Sequence, residues 1–240
     1  MPPRAVFPST IMDPAQKGKT LWEMLMDRVH GSGTGNGSGI PFYNPMDLRV
    51  GSAVNVPYSN GPEFANYDFQ VKEIREYTRR LGGQDFRFTD YWLTGTNTKS
   101  FGADDALQAR IRSVPNAAGA YDSLLLRLYD EFAFAEDFLN VVKDDTGVFE
   151  VTDDDSGKKD TFHRINDLKE SYEAAVLAIS ETTPDGKAAS GKAKPMKFEY
   201  WDYWRDVELA AGKSAKEFLF IELNSDTGWF QLWRGREFFA

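Results

Sequence analysis

A short aromatic signature occurs twice in this chain and constrains its fold more than any other feature. Phe86-Arg87-Phe88-Thr89-Asp90-Tyr91-Trp92 recurs as Phe198-Glu199-Tyr200-Trp201-Asp202-Tyr203-Trp204. Five of the seven positions match if Phe88 and Tyr200 count as one type, and the shared centre is Asp-Tyr-Trp. Upstream, Val71-Lys72-Glu73-Ile74-Arg75-Glu76 and Ile165-Asn166-Asp167-Leu168-Lys169-Glu170 share the order apolar, polar, acid, apolar, base, acid. Two matches in the same order predict a duplicated β-rich module, with a longer insertion in the second copy. In an extended strand Phe86, Phe88, Asp90 and Trp92 lie on one face and Tyr91 on the other.

The pattern between the repeats predicts further strands. Tyr67–Ile74 alternates apolar and polar residues, and Leu107–Val114 does so before Pro115. Leu48–Val56 reads as a strand, with a turn at Asn60-Gly61. Residues 121–151 read as a hairpin system with a helix at 135–143, and 153–160 as a charged turn or linker. Residues 168–179 fit helix or strand, and alignment to the first copy favours strand. Residues 181–197, rich in Gly, Ala, Lys, Pro and Thr, read as a mobile hairpin loop. Glu217–Leu223 and Trp229–Arg234, joined by Asn224-Ser225-Asp226-Thr227-Gly228, form the clearest hairpin. The expected fold is mainly β: two related small antiparallel barrels or sheets with one or two short helices. The expected divisions are a Pro-rich arm, helix and tether at 1–39, a first module at 40–120, a connecting segment at 121–160 and a second module at 161–240.

In the first of these divisions Leu21, Trp22, Leu25, Met26 and Val29 share one helical face. Five glycines among residues 31–39 then make a tether. A helix on a tether can dock on a partner, or pack back on its own domain as short amphipathic helices usually do.

Composition narrows the chemistry. The 240 residues carry a net charge of -9 and no cluster of Lys and Arg large enough for phosphate contacts, which argues against nucleic acid. The chain has no cysteine, so disulfides, thiol nucleophiles and thiolate metal sites are excluded. With two histidines a conventional zinc site is not expected. No apolar run reaches the length of a membrane span and the N-terminus lacks a signal region, so a soluble cytoplasmic protein is expected, with peripheral membrane association left open.

The remaining candidate motifs are mostly structural. Asp90 and Asp202 suit an acid–base pair on paper. A carboxylate among aromatics more often accepts hydrogen bonds from a backbone or indole N–H. His163, with Asp160 nearby, has no accompanying nucleophile motif. Gly18-Lys19-Thr20 and Gly212-Lys213-Ser214 lack the first glycine of a phosphate loop. Neither 153–157 nor 224–228 has the terminal Glu of a calcium loop. No catalytic residue, metal ligand or cofactor is assigned. The binding candidates are Trp22, Leu25 and Met26 on the arm, and Trp201, Trp204, Trp229 and Trp233 in the second module. The last group is too crowded for one strand face. Either both faces are covered, or one meets a partner. Asp90, Tyr91, Trp92, Asp202, Tyr203 and Trp204 are assigned to the structural repeat.

Leu48-Arg49-Val50-Gly51-Ser52-Ala53-Val54, followed by Phe69-Gln70-Val71 and Phe88-Thr89-Asp90-Tyr91-Trp92-Leu93, resembles a bacterial family of uncharacterised β-rich domains. Phe218–Leu223 with Trp229–Leu232 is similar to that family's closing hairpin. The resemblance covers roughly residues 46–114 and 162–236. Members lie beside phage-shock-protein-A-like membrane-stress proteins, and the family brings no catalytic residues. The resemblance implies a non-catalytic interaction or scaffold protein in envelope stress or membrane remodelling, binding a protein partner or itself. A subunit of a larger assembly using its N-terminal arm, and a small-ligand binder or enzyme with an aromatic cleft, are the competing classes.

Overall fold

In a computed structural model, residues 45–56, 64, 67–81, 84–97, 106–115, 121–152, 157–165, 171–183, 187–208 and 214–238 are described. The arm residues Trp22, Leu25 and Met26 lie outside them. The described elements are β1 (Ala53–Val54), β2 (Tyr67–Leu81), β3 (Gln84–Asn97), β4 (Leu107–Pro115), β5 (Tyr121–Ala133), α1 (Glu136–Val142), β6 (Val148–Thr152), β7 (Lys159–Arg164), β8 (Tyr172–Thr182), β9 (Ala188–Lys192), β10 (Lys197–Glu208), β11 (Ser214–Asn224) and β12 (Trp229–Glu237). The fold is mainly β with one short helix among the described residues. Strands from 40–120, 121–160 and 161–240 all enter one antiparallel sheet.

The sheet returns on itself. Its path runs β10-β11-β12-β5-β4-β3-β2-β8, and β8 pairs with β10 as well. Eight strands thus form a ring, closed by a seam of four residue pairs from Lys197↔Ala175 to Tyr200↔Tyr172. Beyond the seam the two strands part. β8 pairs onward with β9, and β10 pairs with β7 at Tyr203 and Trp204. The repeat strands β3 and β10 each sit second in a run of four around the ring: β2-β3-β4-β5 and β8-β10-β11-β12.

A bulge reverses the sides of β2. The register to β3 shifts between Val71 and Glu73, so one residue is inserted. Before it, Phe69 and Val71 join an apolar cluster on the outside of the ring; after it, Ile74 does. Arg75, Tyr77 and Arg79 consequently turn inward. At the β12–β5 contact the backbones approach so closely that a Cβ on Gly235 would lie 1.8 Å from the Leu125 carbonyl oxygen.

Two apolar layers cover the outside. Phe69, Val71, Ile74, Tyr91, Leu93 and Ile111 pack under Met46, Leu48, Val50 and Val54. Trp201, Tyr203, Leu219, Ile221, Phe230 and Leu232 pack under α1 and the β6–β7 hairpin through Phe138, Leu139, Val142, Phe149 and Phe162. Leu48–Val56 contributes a two-residue strand and a covering turn, not the longer strand expected; Ala53 and Val54 pair with β2, and Gly51 and Ser52 bond the Val71 backbone beside them. Within 181–197, read as a hairpin loop, residues 188–192 form β9. The expected charged turn or linker gives up Lys159 and Asp160 to β7, which pairs back on β6.

Candidate functional site

The Asp-Tyr-Trp motifs of β3 and β10 make similar local contacts. The tyrosine of each copy faces outward and ties down a covering segment. Tyr91 Oη accepts a hydrogen bond from Met46 N at 3.1 Å, and Tyr203 Oη donates one to the Val142 carbonyl at 2.8 Å. Burial, against the hydrogen bond from Met46, pushes the Tyr91 hydroxyl up to about 12. The aspartate of each copy faces inward and is buried.

Both aspartates are held by arginine, not by the indole or backbone N–H groups expected. Arg112 grips Asp90 with two hydrogen bonds of 2.8 Å. Arg79 reaches Asp202 at 2.6 Å. Arg110 forks onto Glu222, with Nη1 at 2.9 Å from Oε2, and lies 3.3 Å from Asp90. Arg112 also bonds Glu222 at 2.9 Å. Two strands separate β4 from β11 in the ring, so these pairs cross its interior. Arg75, bonded to Glu73, adds one more pair.

Aromatic rings fill the space between the charges. The Arg110 guanidinium lies 4.2 Å from the Trp233 ring centroid, and Arg112 lies 4.6 Å from that of Phe88. Tyr77 stacks on Phe88 at 4.8 Å, and Trp92 meets Trp233 edge-on at 5.1 Å. Burial alone would raise the Asp90 carboxyl. Arg112 and Arg110 override it and hold the group below the ordinary range. An ionised, doubly gripped carboxylate has no proton to give and little freedom to accept one. Burial raises the Tyr200 hydroxyl well above its usual value.

The interior opens at the end carrying the β11–β12 turn. A cleft of about 380 Å³ there is lined by Arg75, Trp92, Glu131, Met196, Phe198, Asn224, Thr227, Trp229 and Gln231. Trp229 is 45% exposed. On the outer face of the same end Phe134 stacks on Phe230 at 5.9 Å while remaining half exposed. On the floor the Arg75 guanidinium lies 4.4 Å from the Trp92 centroid. Burial works against the charge of Arg75, but Tyr77 and Glu73 raise its pKa above the ordinary arginine value.

The four tryptophans of the second half occupy different places. Trp201 is buried in the outer layer beneath α1 and the β6–β7 hairpin, and Trp233 is buried inside the ring. Trp204 is partly exposed, with Lys216 Nζ 3.5 Å from its ring centroid. Trp229 alone of the four is exposed, so the crowding resolves mainly into two covered faces. His163 is exposed on β7, on the opposite face from buried Asp160. Asp160 is engaged by Arg205 and, at 2.6 Å, by Arg234. It therefore orients arginines, not the histidine.

The arginines escaped sequence reasoning. Arg110 and Arg112 alternate with Ala109 and Ile111 as a half-exposed strand would. The available signal was Glu222, a lone acid near the end of the apolar run Phe218–Leu223. Among the described residues no helix is long and apolar enough to cross a membrane, and no group of three His, Asp or Glu is placed to hold a metal. No family model, no curated protein and no solved structure matches this chain.

Proposed function

We propose that this protein is a non-catalytic interaction protein that engages its partner at the open end of the ring. The observation carrying this reading is the cleft where Trp229 stays exposed beside Arg75 while the charges behind them are already paired. Exposed tryptophan with arginine at a concave site is the composition of a binding hot spot. The paired state of Asp90, Asp202 and Glu222 speaks against acid–base work in the interior. The resemblance to a family encoded beside membrane-stress proteins supports a cytoplasmic role in bacterial envelope stress or membrane remodelling. A second reading, a small-ligand-binding protein, is favoured by the cleft volume, which falls in the range of ligand sites.

Capture of a partner from an extract of the source cell tests the proposal. Trp229→Ala should abolish capture without changing the melting temperature, and Phe134→Ser, on the outer face against Phe230, should leave capture intact. Capture untouched by Trp229→Ala places the interaction elsewhere on the chain.

A further inference from the structure

The chemistry of the cleft specifies an occupant. Arg75 is the only Lys or Arg among the described residues lining it. Its guanidinium is fixed from two sides: Nε donates to Glu73 Oε1, and the plane lies over Trp92. A guanidinium held by its Nε directs its terminal nitrogens as a fork, the geometry that suits a carboxylate. Phe198, Met196 and the exposed Trp229 are the cleft's apolar lining, and its volume of about 380 Å³ accommodates an aromatic ring. Trp233 and Arg110 are fully buried directly behind Trp92, so the occupant cannot be long. The one carboxylate of the lining, Glu131, is engaged by Gln231 Nε2 at the rim. An entering organic cation would meet Arg75 on the floor.

We infer that the cleft takes an aromatic group carrying a carboxylate, from a free aromatic acid or from the C-terminal residue of a peptide. This rests on the reading of the open end as the binding end. The ring stacks between Trp229 and Phe198, and the carboxylate meets Arg75 in a partly dehydrated setting, where a charge-assisted pair is strong.

Calorimetric titration of the full-length protein tests the inference with four probes. These are indole-3-acetate, a Gly-Ser-Gly-Phe peptide with a free C-terminus, the same peptide amidated, and phenethylamine. The expected result is binding of one or both acids, with the amide and the amine at least about tenfold weaker. Arg75→Gln should lower acid affinity by a similar factor, and Trp229→Ala should do so at an exposed position that leaves folding intact. Tighter binding of indole-3-acetate assigns the site to a free acid, and tighter binding of the peptide to a chain terminus. Equal binding of acid and amide, preference for the amine, or no binding of either acid overturns the inference. If both acids fail while Trp229→Ala still abolishes partner capture, the carboxylate assignment falls and the open-end interaction stands.

Discussion

Asp90 and Arg112 are direct partners across the β3–β4 ladder, and two hydrogen bonds of 2.8 Å join their side chains inside the ring. Removing the Asp90 charge leaves two buried arginines, Arg110 and Arg112, to share Glu222. Asp90→Asn should therefore cost about 3–5 kcal/mol in urea unfolding. The double change Asp90→Leu with Arg112→Met leaves Arg110 and Glu222 as a matched pair. It should be more stable than the Asp90→Asn single variant. A double variant with the sum of the single losses would show that the pair is not coupled.

Acid should weaken the fold in a defined window. Despite burial, Arg112 holds Asp90 and Arg234 holds Glu217 below their ordinary values of 3.8 and 4.5. A carboxylate with a depressed folded pKa binds protons less readily than in the unfolded chain. Its stabilisation is complete above the ordinary value and is lost as pH falls through the folded one. The melting temperature should stay level from neutral pH down to that range and then drop. A drop that begins well above it would point to other titrating groups.

Gly235 should tolerate no side chain. A Cβ there meets the Leu125 carbonyl oxygen at 1.8 Å, and backbone cannot move aside as a side-chain tip can. Gly235→Ala should destabilise by at least about 3 kcal/mol, the upper part of the overpacking range. Gly191→Ala, with nothing within 4 Å, is the matched control and should change thermal stability little.

The tryptophans should separate by position. Trp233→Ala empties a fully buried site and should cost about 3–5 kcal/mol. Trp204→Ala removes a partly exposed ring and a contact to Lys216, and should cost less than about 2 kcal/mol. Chemical denaturation of the two variants side by side checks the order.

Local pattern made much of this fold legible. Leu107–Val114 and the hairpin through Asn224–Gly228 are found where alternation and turn residues put them, because each forms from neighbours in sequence. The inward Asp90 and outward Tyr91 follow from strand parity. The ring does not follow, because it depends on β2 meeting β8, as at Ile74↔Ser180, far along the chain. The Lys72 bulge hides the arginines of β2 by changing which face its odd residues occupy. The candidate site was legible only as Trp229. Arg75 gains its meaning from Trp92 on the next strand and from the turn that opens above both. β9, Ala188–Lys192, has small residues with no strand-like alternation and is ordered by β8 alone.

The crossing of the ring by its ion pairs has a consequence for biogenesis. Glu222 lies 112 residues after Arg110 and 110 after Arg112. During translation β2–β5 leave the ribosome as an open, curved ribbon with charged and aromatic groups on its concave side. For much of synthesis Asp90 is the only one of the network's two carboxylates available to both arginines. β11 and β12 supply the acceptor and the β12–β5 edge together, so the nascent ring stays open to mispairing until both have emerged.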